Sequence, residues 1–105
     1  SMLSTSLYAI RKKAEKGGEY HPLVRVSVSQ EPEGGHLLIK VYDNGIGIEQ
    51  SIINKVFDPF FTTKPTAEAP GVGLYLSQQV LHDCGGTITV DSVKDEFTVF
   101  VINLA

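Results

Sequence analysis

Between residues 43 and 74 the chain sets two glycine-rich segments on either side of an aromatic block, and that order restricts what it can become. Asp43-Asn44-Gly45-Ile46-Gly47-Ile48 closes a run of alternating apolar residues. Phe57-Asp58-Pro59-Phe60-Phe61-Thr62-Thr63-Lys64 follows, and Gly71-Val72-Gly73-Leu74 opens an apolar run with helical spacing. Glycine lets a backbone pass close to a neighbour or take positive φ. A glycine segment at a helix start also leaves free N–H groups that favour anions. Each piece has a plain structural reading beside the functional one: a tight loop, a hydrophobic cluster and a connection.

Periodicity defines the elements around these segments. Residues 3–16 read as a helix, with Leu3, Leu7 and Ile10 on one face and Arg11, Lys12, Lys13, Glu15 and Lys16 crowding its end. Gly17-Gly18 stops it. Val24, Val26 and Val28 alternate with Arg25, Ser27 and Ser29, the pattern of a half-buried strand. Glu31-Pro32-Glu33-Gly34-Gly35 is a turn signal before a second strand from Leu37 to Asp43, so an antiparallel hairpin is expected. Residues 49–56 read as a short helix with Ile52, Ile53 and Val56 as its apolar side. Residues 62–70 hold two prolines and few large apolar groups, and read as a mobile loop. Residues 72–84 read as a long helix with Val72, Leu76, Val80 and Cys84 at i+4 spacing, ended by Gly85-Gly86. Residues 87–91 and 97–104 read as strands joined by a turn near Lys94-Asp95. Helices and hairpins in this order predict an α+β sandwich with helices covering one sheet face.

Composition excludes several classes. At 105 residues the chain is one domain spanning residues 1–105, with 42% hydrophobic and 20% charged residues. A net charge of −3, with no basic cluster beyond Arg11-Lys12-Lys13, argues against nucleic-acid binding and against direct membrane contact through a polybasic anchor. No apolar run approaches the ~20 residues of a spanning helix. One cysteine, Cys84, permits no internal disulfide and fits a cytoplasmic setting. His21, His36 and His82 lack metal-ligand spacing. Ser1-Met2 reads as a cloning remnant, and the chain opens inside a helical pattern without a capping residue, so an N-terminal truncation is expected.

Asp43 can be placed by phase alone. Leu37, Ile39, Val41 and Asp43 share one face of their strand, and the first three are apolar. Asp43 therefore points into the core at the strand's end, where a bare carboxylate is costly without a donor. A bound amino group would supply one. The alternative is a hairpin turn, since Asp-Asn-Gly is also a turn signal, although a helical pattern follows it here.

Taken together, these segments resemble the nucleotide pocket of histidine-kinase ATPase domains, the GHKL or Bergerat-fold superfamily. DNGIGI resembles the first glycine box, FDPFFTTKP the F-box and GVGLYL the second glycine box. Leu81 to Thr87 resembles the segment before the penultimate strand, and Thr98-Val99-Phe100 with Leu104 resembles the last strand. The resemblance runs from residue 3 onward. It implies a two-layer α/β sandwich with a mixed, mostly antiparallel sheet, truncated at its N-terminus. It implies ATP or ADP with Mg2+ as cofactors. Asp43 would read the adenine amino group, with Thr98 nearby. Gly45, Gly47 and Ile48 would line the purine and ribose. Phe60 would precede a lid over residues 62–72 that includes Thr63 and Lys64, with Lys64 a phosphate contact. Gly71, Val72, Gly73 and Leu74 would lie along the phosphates.

On the first helix the family carries an asparagine that ligates magnesium. Thr5 stands at that position, Ser6 at the following alanine, and Tyr8 continues the motif into the nucleotide site. Thr5 is thus a doubtful Mg2+ ligand, because a threonine hydroxyl is shorter than an amide and a poorer acceptor than its carbonyl. Tyr75 replaces a common third glycine. No catalytic residue is expected in this chain, since the acceptor histidine of such kinases lies on a separate dimerisation domain. His82-Asp83 at a helix end lacks that context.

The resemblance therefore implies the ATP-binding half of a sensor histidine kinase. Its partners would be the dimerisation and histidine-phosphotransfer domain of its parent and, indirectly, a response regulator, with self-association through apolar surface left exposed. Thr5 and Tyr75 keep a degenerate binding module open as the alternative. Another branch of the superfamily is disfavoured by FDPFFTTK and the short lid.

Overall fold

The computed structural model describes residues 2–58 and 73–104. Helix α1 (Met2–Glu15) leads into an antiparallel hairpin of β1 (Val24–Gln30) and β2 (Leu37–Asp43). A single 3-10 turn, Ile53–Lys55, precedes helix α2 (Gly73–Asp83) and a second hairpin of β3 (Gly86–Val93) and β4 (Phe97–Leu104). The four strands form one sheet in the order β1-β2-β4-β3. Every strand pair among the described residues is antiparallel.

The register stacks the core-facing residues in rows. Val41, Phe100 and Val90 lie side by side across β2, β4 and β3. Ile39, Ile102 and Ile88 form the next row. Phe100 is fully buried, and Val41, Ile88 and Ile102 surround it as the core cluster. Met2 of α1, Leu74 and Leu81 of α2, and Phe57 pack against that cluster, Phe57 edge-on to Phe100 at 6.2 Å. Helix α1 lies against β2 and α2 against β3.

Several local expectations need correction. The buried face of α1 is Ser6 and Ala9, whereas Leu3 and Leu7 are 50% and 61% exposed. The reason is close approach: the loop after β2 presses on this helix where only small side chains fit. Strand β1 keeps the phase expected of it, with Val26 opposite Val41 and Val28 opposite Ile39. Neither helix reaches over it, so both valines are exposed rather than half-buried. Residues 49–56 hold only the 3-10 turn, with Val56 buried and Ile52 and Ile53 partly so. On α2 the expected i+4 row is not buried at its C-terminal end, while Val72 and the Leu76 side chain lie outside the described residues. Val80 and Cys84 are exposed, and Leu74 and Leu81, seven residues apart, make the core contacts.

Both glycine stops hold. Gly17 and Gly85 take positive φ just beyond their helices, as a helix C-terminus favours. The β3–β4 turn falls at Lys94-Asp95, with Asp95 at φ 65°.

Candidate functional site

The end of the sheet beside this turn carries a second kind of row. Asp43 of β2 faces Thr98 of β4, and Thr98 faces Ser92 of β3. By strand phase all three belong to the core face, yet all are polar, and none is more than 3% exposed. A polar row in an apolar layer costs stability unless its members are hydrogen-bonded.

Asp43 is satisfied on one side only. Its Oδ1 accepts the backbone N–H of Gly45 at 2.9 Å. Its Oδ2 has no hydrogen-bond partner among the described residues, and neither has the fully buried Ser6 Oγ of α1. Burial pushes the Asp43 carboxyl above the ordinary carboxylate range, while the Gly45 N–H and the nearby Ser6 hydroxyl pull it down. Asp43 also helps to raise the Tyr20 hydroxyl, although burial is the larger cause there. The arrangement is an inward-facing carboxylate oxygen that lacks a donor.

The glycine loop that covers this carboxylate is fixed from three directions. From α1, the Ala9 carbonyl accepts the Ile46 N–H at 3.2 Å. A β-carbon on Gly45 would stand 2.6 Å from the Ala9 carbonyl carbon and its methyl. From the β3–β4 turn, the Asp95 N–H donates to the Ile46 carbonyl at 2.6 Å. Ser92 Oγ accepts the Ile48 N–H at 2.8 Å, and the Ser92 carbonyl accepts Gln50 Nε2 at 2.8 Å. Gly47, at φ 69°, passes so near Val93 that a β-carbon would lie 2.3 Å from its carbonyl oxygen. From the segment before β1, Asn44 Nδ2 donates to the His21 carbonyl at 2.8 Å, and Asn44 Oδ1 accepts the Leu23 N–H at 2.8 Å and the Tyr20 hydroxyl at 3.1 Å. The Asp43-Asn44-Gly45 segment thus makes no hairpin turn. It ends β2 and enters a pinned loop.

Charge closes the rim. Lys13 Nζ donates to the Asp95 carbonyl at 2.7 Å, and Lys16 pairs with the Asp95 carboxylate, holding it below its ordinary value. Lys94 and Glu49 pair at 2.6 Å. An open cleft of about 620 Å³ lies beside this rim, lined by Lys13, Lys16, Tyr20, Asn44 and Asp95 among others. Asp43, Thr98 and Ser92 do not line it. The cleft carries solvated ion pairs, whereas the buried polar row carries a hydrogen bond unmet among the described residues, so the row is the candidate site.

The expected site residues divide accordingly. Asp43, Gly45, Gly47, Ile48 and Thr98 come together at this end of the sheet. Thr5 stands on α1 next to Ser6 and is partly buried. Tyr8 lies about 200° round the helix from Ser6 at 100° per residue. Its ring sits under the Arg11 guanidinium at 5.6 Å and the Lys12 ammonium at 5.4 Å, away from the Asp43 row. Gly73 begins α2, and Leu74 packs on the core. Phe60, Thr63, Lys64, Gly71 and Val72, and with them the lid, lie outside the described residues. Among the described residues no group of three or more His, Cys, Asp and Glu side chains could hold a metal ion. Sequence reasoning missed Ser6, Asn44 and Ser92. Ser92 was findable, because it continues the inward phase of Ile88 and Val90 just as Asp43 continues that of Ile39 and Val41.

Comparison with known families places this two-layer domain, with its glycine loop clamped over an inward carboxylate, among ATPases. Residues 3–105 match the model of one such family, and the chain belongs to the histidine kinase-, DNA gyrase B-, and HSP90-like ATPases. It is 38% identical over 72 residues to the two-component sensor PprA of Pseudomonas aeruginosa, covering 69% of this chain and 8% of that protein. It is 32% identical over 103 residues to the autoinducer sensor kinase/phosphatase CqsS of Vibrio cholerae, covering 98% of this chain and 15% of that protein. Among solved structures, a mycobacterial sensor histidine kinase, MprB, superposes with a TM-score of 0.67 at 30% identity, over 79% of this chain and 56% of the other. The chain thus spans a small part of the curated relatives it matches. Among the described residues no helix is long and apolar enough to cross a membrane.

Proposed function

We propose that this chain is the ATP-binding domain of a two-component sensor histidine kinase, presenting a nucleotide for phosphoryl transfer to a histidine on a separate dimerisation domain of its parent. The observation that carries the reading is Asp43 Oδ2, a buried acceptor without a donor among the described residues, at the end of a polar row. The 6-amino group of adenine would complete it, and Thr98 would stand beside the same edge. Gly45 and Gly47, which have no room for side chains, let the loop close over the base. Thr5 would be the residue of α1 nearest to the family's magnesium position, with the nucleotide's own phosphates supplying most of the ligands. Magnesium, when bound, offsets phosphate charge as the γ-phosphoryl group leaves. Lys64 would meet a phosphate as a point charge. The domain would act on the cytoplasmic side of its parent, where ATP is held, with a response regulator downstream of the phosphorylated histidine.

Thr5 favours one competing reading, a degenerate module that holds nucleotide without presenting it for transfer. Calorimetric titration with ATP and ADP, with and without magnesium, separates the two. Saturable binding strengthened by magnesium supports the kinase domain. Binding indifferent to magnesium favours the degenerate module, and no binding of either nucleotide would sink the adenine assignment.

A further inference from the structure

The Ser92 hydroxyl is engaged on every side. It is 1% exposed. Its oxygen accepts the Ile48 N–H at 2.8 Å, lies 2.6 Å from the Phe97 carbonyl oxygen, and lies 2.9 Å from Thr98 Oγ1. A hydroxyl has one proton to give. A carbonyl oxygen has none, so the 2.6 Å contact is a hydrogen bond only if Ser92 donates there. That leaves one sense for the contact between the two hydroxyls: Thr98 donates, and Ser92 accepts. Thr98 then has only lone pairs to offer any other group. Directly across the β2–β4 pair stands Asp43, whose unpartnered Oδ2 is also an acceptor.

We propose that Ser92 is a positioning residue that sets the base preference of this site: by taking the proton of Thr98 it leaves the buried row presenting acceptors alone, which selects a ring edge bearing an amino group over one bearing a carbonyl. The inference rests on the adenine reading given above. At the 6-position an amino group brings a hydrogen to each of two acceptors, whereas a 6-oxo purine sets its carbonyl oxygen against both and leaves these buried polar groups unpaired there. Ser92 exerts this through Thr98, since its own oxygen is taken up by Ile48, Phe97 and Thr98. Its second task is mechanical, because the same oxygen ties the glycine loop at Ile48 to the β3–β4 turn.

The test is a calorimetric comparison of ADP with its 6-oxo analogue IDP on the 105-residue chain, at about pH 8, above the ordinary carboxylate range. The parent chain is expected to prefer ADP. In Ser92→Ala the Thr98 proton is free to turn towards the ligand and donate to the 6-oxo group. The ADP:IDP preference should fall roughly ten-fold, about the worth of one hydrogen bond. A loss of stability by itself would lower affinity for both nucleotides and leave their ratio in place. Ser92→Cys, whose thiol is a weak donor and acceptor, should give an intermediate ratio and carries the test if the alanine variant does not fold. Ser92→Ala added to Thr98→Val should change the ratio no further, since the effect runs through Thr98. A parent that prefers ADP, with variants that keep its ratio, overturns the role of Ser92 alone. A parent that binds neither nucleotide, or both equally, overturns the adenine reading and this inference with it.

Discussion

Gly45 lies against Ala9 with no room for a β-carbon between loop and helix. One built there would sit 2.6 Å from two carbons of Ala9 and 2.8 Å from its carbonyl oxygen. Those atoms are backbone and methyl, which cannot swing aside as the end of a long side chain would. Gly45→Ala is therefore expected to destabilise the chain by about 1–3 kcal/mol, the usual cost of overpacking. Gly47→Ala should cost more, because it adds positive-φ strain to a 2.3 Å approach to the Val93 carbonyl oxygen. Gly35→Ala is the control, with the same backbone strain at φ 70° and open space around it, at about 1 kcal/mol. Urea denaturation should rank the losses Gly47→Ala, Gly45→Ala and Gly35→Ala from largest to smallest, and a Gly47 variant no worse than the Gly35 variant would refute the close packing.

Asp43→Asn isolates the unmatched carboxylate. The amide keeps an oxygen for the Gly45 N–H but loses the charge. Nucleotide affinity should fall roughly 30-fold, the worth of about 2 kcal/mol for a bond to a charged group. Stability at neutral pH should hold or rise by up to about 2 kcal/mol, since a buried charge is removed. The pH dependence follows from the raised carboxyl. Native Asp43 keeps its proton at pH values where the unfolded chain, near about 3.9, has lost it. Within that window the native state binds more protons, so stability rises as pH falls through the native value. Above the window the cost of the carboxylate is present in full. The advantage of the asparagine variant should therefore shrink on acidification and vanish below about pH 4. Glu49 and Asp95, held low by Lys94 and Lys16, titrate with the opposite sign in both chains and cancel in the difference. Stability curves of the two chains that stay parallel from neutral pH to acid would contradict the placement of Asp43.

Asn44 ties the glycine loop to the segment before β1 through both ends of its amide. Asn44→Ala leaves the His21 carbonyl and Leu23 N–H without that partner, and a loss of about 1–3 kcal/mol is expected. Amide hydrogen exchange should show Leu23 and Gly45 losing protection ahead of Val41 in the core. Unchanged exchange at both would mean that the loop is held without this side chain.

On the proposed reading Thr5 would stand where a magnesium-ligating asparagine is expected. Thr5→Asn lengthens the side chain and supplies a carbonyl acceptor on the α1 face next to Ser6. Magnesium-dependent ATP affinity should rise several-fold, by about 1 kcal/mol for one added ligand bond, with magnesium-free affinity unchanged. Equal gains with and without magnesium would assign the effect to helix packing.

The sequence determined the four strands, the two long helices and one decisive orientation. Period-two alternation set Asp43 inward beneath Leu37, Ile39 and Val41, because strand geometry sends alternate side chains to opposite faces whatever lies beyond them. Gly17 and Gly85 marked the helix ends, because positive φ is a local demand. Facing partners were another matter. Leu3 and Leu7 read as the buried side of α1, yet Ser6 and Ala9 are buried, since the loop at Gly45 approaches too closely for larger residues. Val26 and Val28 kept the right phase and remained exposed, because burial depends on how far the helices reach across the sheet. The role of Ser92 depends on Ile48, distant in the chain, and on Thr98 across the β3–β4 pair. Local geometry is written in short-range pattern, while the choice of neighbour, and with it the direction of each buried proton, is made only when distant segments pack.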